Sequence, residues 1–432
     1  RNNVKNSEYG IGLYSSNNNI SENNIANSNW GIMLGVSSNN SMIQNNIANS
    51  GYGIELDSSN NNSINRNNIT ASGLIGIFLW SSSNNYMSKN SITNNENGIY
   101  LLDYSSENVI ISNTFTNNGL RLFCSYQNVV ENNTVNAKPL VYLEGVSGFS
   151  IDYAGQVVLV NCSDIEVENS DLSAASSGAL LFETNNSTIR GNNIADNLFG
   201  IELDYSSNNS ISENNITNNW RGIYVGDANS KIYHNNFVDN TYQAGTYYSV
   251  NIWDDGYASG GNYWSDYSGT DSNHDGIGDT PYVIDADNID HYPLMGIFSD
   301  FNATLECHVQ TISNSTISNF KFSGTAISFD VSGENGTSGF CRLTIPHTLL
   351  SPPYNVTVND NLVAYTLIFE NDTLSIIYFN YTLSTKEVII VPEFPSFLIL
   401  PIFITLTLLA VIMRKKVEPP PGFEPGIFSL QG

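Results

Sequence analysis

The sequence predicts an all-β protein: a right-handed parallel β-helix of about ten coils of 22 residues, then a small β-sandwich, then one C-terminal transmembrane helix. Three observations carry this. Gly-Ile pairs recur at Gly31-Ile32, Gly53-Ile54, Gly76-Ile77, Gly98-Ile99, Gly200-Ile201 and Gly222-Ile223. After about residue 298 this rhythm gives way to short alternating strands separated by Asn, Gly and Pro turns. Finally, the uncharged run Phe397–Met413 is followed at once by Arg414, Lys415 and Lys416.

The repeat has a second phase, at Ile25, Ile47, Ile69, Ile92 and Phe115 and again at Ile194, Ile216 and Phe237. Five residues before each stands another apolar residue, such as Ile20, Met42, Ile64 and Met87. Strands such as Ile54-Glu55-Leu56-Asp57 alternate, so Ile54 and Leu56 point inward while Glu55 and Asp57 point out. A strand this short buries nothing alone. Coils stacked about 4.8 Å apart let each Ile rest on its equivalent in the next coil. Of the 65 asparagines, 52 precede residue 241, which ties them to the coils. Asn24, Asn46 and Asn68 are expected at corners, where Asn tolerates a left-handed backbone and its amides can form a ladder.

The coils should occupy residues 1–240, with an irregular insert at 137–177 through which coiling continues as one rod. Residues 241–298 read as the cap of the helix and 299–391 as a β-sandwich stalk. Residues 394–413 are long enough to span a bilayer as a helix, and the basic stop places residues 1–393 outside the cell. The tail 414–432 belongs to no domain, and 417–432 resemble read-through. N-x-S/T sequons at Asn302, Asn314, Asn335, Asn355, Asn371 and Asn380 suit an exposed glycoprotein. Fifteen basic against 41 acidic residues argue against a nucleic-acid partner. The four cysteines lack metal or redox spacing, leaving a Cys307–Cys341 bridge as the one pairing to test.

Together with Gly155–Cys162, Gly261–Tyr267 and Asp275–Tyr282, the repeats resemble the NosD-like class of carbohydrate-binding and sugar-hydrolase β-helix proteins. Members of that class are common on archaeal cell surfaces. The stretch Pro392–Pro395, the apolar run and the basic cluster resemble an archaeal C-terminal sorting signal. The resemblance implies the fold, and function only weakly. By its name it also implies copper, but no two of the dispersed Met and His form a ligand-like pair.

Two sets of residues are expected to carry chemistry. Asp271, Asn273, Asp275, Ile277 and Asp279, with Gly276 at the turn, match most of a structural calcium loop, although Tyr282 stands where its closing Glu belongs. Glu55, Asp57, Phe78, Trp80 and Tyr100, with Glu202, Asp204 and Tyr224, mix carboxylates and aromatics on the outward face as a glycan-binding surface would. No organic cofactor is expected. On a straight rod the pairs Glu55/Asp57 and Glu202/Asp204 stand about 30 Å apart and share no site. Exposed i, i+2 pairs without a cleft argue for binding over catalysis. A polysaccharide hydrolase or lyase is the alternative, and a copper-site accessory the third reading.

Overall fold

The computed structural model describes residues 1–393, so the Phe397–Met413 segment and the basic stop lie outside the described residues. Within them the chain is all-β, and a parallel β-solenoid of about 11 turns leads into two antiparallel sheets. Among the described residues no helix is long and apolar enough to cross a membrane.

The first stack, residues 1–135, has three parallel sheets. One holds the Gly-Ile strands: Trp30–Gly35, Tyr52–Asp57, Ile75–Trp80, Asn97–Leu102 and Leu120–Leu122. Ile32, Ile54, Ile77 and Ile99 form one registered column, each fully buried, as the repeat requires. The glycine before each Ile has a steric reason. A Cβ on Gly53 would lie 2.4 Å from the Gly76 carbonyl oxygen and 2.6 Å from Ile69 Cγ2, so the coils close up only where no side chain stands.

Asn24, Asn46 and Asn68 do form a ladder, Asn46 and Asn68 Nδ2 donating to the Oδ1 one coil back at 2.8 and 2.7 Å, but it lies on the exposed surface and not at the corners. Left-handed residues are Glu22, Gln44 and Arg66 (φ 55°, 57° and 53°), and Asn24, Asn46 and Asn68 open the following strands on the outside. The buried ladder is one residue earlier. Asn45 Oδ1 accepts from the Asn23 amide and side chain at 3.0 and 2.9 Å. Its Nδ2 donates to the Ile20 carbonyl at 2.9 Å and to Asn67 Oδ1 at 3.0 Å. Facing the interior, an Asn satisfies the corner's otherwise orphaned backbone groups in both directions.

The single rod is overturned at residue 136. Asn136 and Ala137 both have positive φ (50° and 66°), and Val135 pairs antiparallel with Lys138, a two-residue hairpin. The new strand, Lys138–Glu144, then pairs in parallel with Gln156–Val160, and coiling resumes through Ser177–Phe182, Phe199–Asp204, Arg221–Gly226 and Tyr242–Tyr247. One 13-stranded sheet therefore runs through both stacks. Its two halves enclose cores on opposite faces. Leu140, Val158, Val160, Leu180 and Phe182 stay with the first stack's interior, while Val157, Leu159, Ala179 and Leu181 face the second. The outer face of the second stack thus closes the end of the first. Gln156 completes the seal by bonding both backbone groups of Leu120 (2.9 and 2.7 Å).

The second stack ends on an aromatic plug in which Phe237, Trp264 and Tyr282 stack at 4.4 and 4.3 Å. Beyond it, two five-stranded antiparallel sheets share one buried cluster that includes Val309, Phe329, Leu343, Val356 and Ile377. All four cysteines are free. Cys341 lies in that cluster and Cys307 at a turn beside Thr348, so the two do not bridge.

Candidate functional site

The reversal at Asn136-Ala137 creates an inside corner. The last Gly-Ile strand of the first stack abuts the outer face of the second, so two outward faces that a straight rod would separate meet. Glu55, Phe78, Tyr100 and Arg121 form one register column on the first face. Leu180, Glu202 and Tyr224 form the matching column on the second, with Phe182, Asp204 and Gly226 beside it.

Arg121 joins the walls. Its Nε lies 3.2 and 3.1 Å from the Glu202 carboxylate oxygens and its Nη2 2.5 Å from Oε1. Ser177 Oγ donates to Glu202 Oε2 at 2.7 Å. The guanidinium lies 5.2 Å from the Tyr100 ring centre and 4.5 Å from that of Phe199. Burial opposes the charge on Arg121, but Glu202 outweighs it and holds the guanidinium above its ordinary range. Glu202, expected to be solvated, is 2% exposed. Glu55 stands three coils before Arg121 in its column, and what the reversal brings against Glu202 is Arg121, not the Glu55/Asp57 pair. Arg121 lies one coil beyond Tyr100 in the same register.

Asp204 lies at the end of the strand Phe199–Asp204, two residues beyond Glu202. Burial, then the neighbouring Glu202 charge, pushes its carboxyl up to about 7, against the opposing pull of Arg121. Glu55 is also raised, first by burial, although Trp30 Nε1 donates to it. Asp57 shares a register row with Trp80, whose indole donates to Asp103 at 2.7 Å.

Phe78 and Tyr100 belong to a stacked ladder, Tyr9–Trp30–Tyr52–Phe78–Tyr100, with centroids 4.9 to 6.0 Å apart. Neighbours cover those ring faces. The open aromatics near the corner are Trp80, Tyr104, Tyr205 and Trp220, each more than 40% exposed. Sequence reading missed Arg121, Asp103, Ser177 and Phe199. Of these, Arg121 was legible, because it follows Tyr100 at one coil's spacing.

The Asp271–Asp279 loop closes on its own donors. Asp271 accepts from the Asp275 and Gly276 amides at 3.0 and 2.9 Å. Asp275 accepts from the Ile277 amide at 2.8 Å and from Asn273 and the Tyr257 hydroxyl at 3.0 Å. Asp279 accepts from Thr270 and the Ser272 amide at 3.0 and 2.9 Å.

The profile of the family described as "Periplasmic copper-binding protein (NosD)" matches residues 1–134 and 119–269. The chain belongs to the NosD family. Comparison with curated proteins finds no match. Among solved structures, the periplasmic alginate epimerase AlgG is 14% identical, with TM-score 0.23, covering 58% of this NosD-family chain and 76% of that protein. The tailspike gp49 of Pseudomonas phage LKA1 is 10% identical, with TM-score 0.26, covering 87% and 67%. The tailspike gp61 of Pseudomonas phage phi297 is 8% identical, with TM-score 0.23, covering 86% and 65%.

The copper in the family's description does not fit the residues present. Among the described residues no group of three His, Cys, Asp or Glu could hold a metal ion. Met42 and Met87 are interior core residues, and His234 is buried against Phe298 at 4.3 Å. No step is assigned to copper here.

Proposed function

We propose that this NosD-family chain is an extracytoplasmic glycan-binding protein that holds uncharged sugar chains in the inside corner between its two stacks. The observation that supports this is the meeting of Tyr100 and Arg121 with Glu202, Asp204 and Tyr224 on one re-entrant surface. Asp103 and Asp204 offer acceptors for sugar hydroxyls, and Trp80 and Trp220 offer open ring surface for their apolar faces. Of the two guanidiniums there, Arg121's is engaged by Glu202 and Arg221's lies over the Phe199, Trp220 and Tyr224 rings, and the net charge is −26. An acidic glycan would therefore meet repulsion, which selects neutral ones. The two antiparallel sheets serve as a sandwich-type stalk, and Phe397–Met413 as a membrane anchor on the cell surface.

A glycan array probed with the full-length chain tests the reading. Neutral oligosaccharides should bind, and Trp80→Ala should weaken them about tenfold, near 1.4 kcal/mol. Binding confined to uronate-rich glycans, or unaffected by Trp80→Ala, would reject it.

A second reading, glycan cleavage, is favoured by Asp204 alone, because a carboxyl that keeps its proton near pH 7 suits a general acid. Release of reducing ends, abolished in Asp204→Asn with binding retained, would select it. Calcium at the Asp271–Asp279 loop would require those carboxylates to exchange the loop's own donors for the ion. Calorimetry without a calcium heat at millimolar concentration would end that proposal.

A further inference from the structure

Remote from the corner, a cleft of about 270 Å³ lies between the solenoid cap and the outer face of the first antiparallel sheet. Its walls include Ser259, Phe298, Ile312, Phe369 and Ile376, with Arg342 among them. Tyr257 and Phe369 at its margin are exposed, so the cleft opens to solvent. Its volume falls just under the ~300 Å³ at which small-molecule sites begin.

Arg342 sets the chemistry. It stands on the strand Ser338–Pro346 and is 2% exposed. Its Nη2 donates to the Ala258 carbonyl, but Nε and Nη1 have no acceptor. Among the described residues it makes no ion pair, although Asp275 and Asp271 act on it at longer range from the cap loop. Burial lowers the guanidinium to about 10, the direction expected of a cation held without a carboxylate in contact. Unpartnered buried N–H groups cost about 1–3 kcal/mol each and more when charged, so an arginine kept in this setting invites an anion.

We propose that this cleft binds a small organic carboxylate with an apolar body, its carboxylate on Arg342 and its body between Phe298, Ile312, Phe369 and Ile376. Rotation of the guanidinium away from the Ala258 carbonyl presents a two-donor edge to the acid, the geometry in which Arg and carboxylate bind bidentately. The ligand's apolar part replaces water against the aromatic and aliphatic lining. The site is independent of the glycan corner.

Phenylacetate and its uncharged analogue phenylacetamide test this by calorimetry on the full-length chain. The acid should bind with a Kd below about 1 mM, and the amide at least about tenfold more weakly. Arg342→Gln should abolish the difference between the two probes. Ile376→Trp, which fills the cleft but keeps the guanidinium, should abolish binding of both and covers the case in which Arg342→Gln fails to fold. Equal affinity for acid and amide, no saturable binding of the acid, or undiminished binding to Ile376→Trp overturns the proposal.

Discussion

At the scale of single residues, stability rests on asparagines that face inward. Asn67 accepts from Asn45 and donates to the Met42 carbonyl and to Asn90, whereas its neighbour Asn68 bonds only Asn46 on the exposed surface. Asn67→Ala leaves buried amide and carbonyl groups unpaired and should cost about 2–4 kcal/mol in urea unfolding, against under ~1 kcal/mol for Asn68→Ala. Equal losses would dissolve the distinction between the two rows. Asp204 sets a pH dependence whose sign follows from its raised carboxyl. The folded state binds the proton more tightly than the unfolded chain, so this contribution to stability is full below about pH 4 and is lost as pH rises through about 7. Asp204→Asn should therefore stabilise the protein at pH 8 and leave it unchanged at pH 4. Thermal melts across that range check it.

At the scale of elements, the turn Asn136-Ala137 decides the architecture. Asn tolerates a left-handed backbone well, but Ala at φ 66° carries a Cβ penalty of about 1–2 kcal/mol. Ala137→Gly should raise the denaturation midpoint by about 1 kcal/mol of stability, and Ala137→Val should lower it. The long strands were legible because each coil repeats the last, and errors in one coil are corrected by the next. The turn was not, because it occurs once and carries no Gly to mark it. The buried asparagine row was misplaced by a single residue for a related reason. Asn-Asn pairs such as Asn23-Asn24 and Asn45-Asn46 look alike in sequence, and only the path of the corner selects which side chain turns inward. Glu202 and Asp204 alternate with the inward Ile201 and Leu203, but what they face depends on the reversal some 65 residues earlier.

At the scale of the whole molecule, the two stacks are held by the closure of one core against the other's outer face and by the Arg121–Glu202 pair at its margin. Arg121→Glu sets two carboxylates against each other in a largely buried place. It should cost about 3–5 kcal/mol and increase the radius of gyration measured by small-angle scattering as the stacks part. An unchanged profile with an unchanged denaturation midpoint would show that apolar closure alone fixes their angle.

That closure has a bearing on how such chains can change in length. The corner is assembled from the last coils of the first stack, back to the strand Ile75–Trp80, and the opening coils of the second, so everything upstream of Ile75 lies on the far side of it. Whole coils gained or lost among the early repeats lengthen or shorten one arm and leave the hinge chemistry where it was. Reach and recognition can thus drift independently in descendants of this chain, a latitude that an unbroken solenoid, with its contacts strung along a single axis, does not possess.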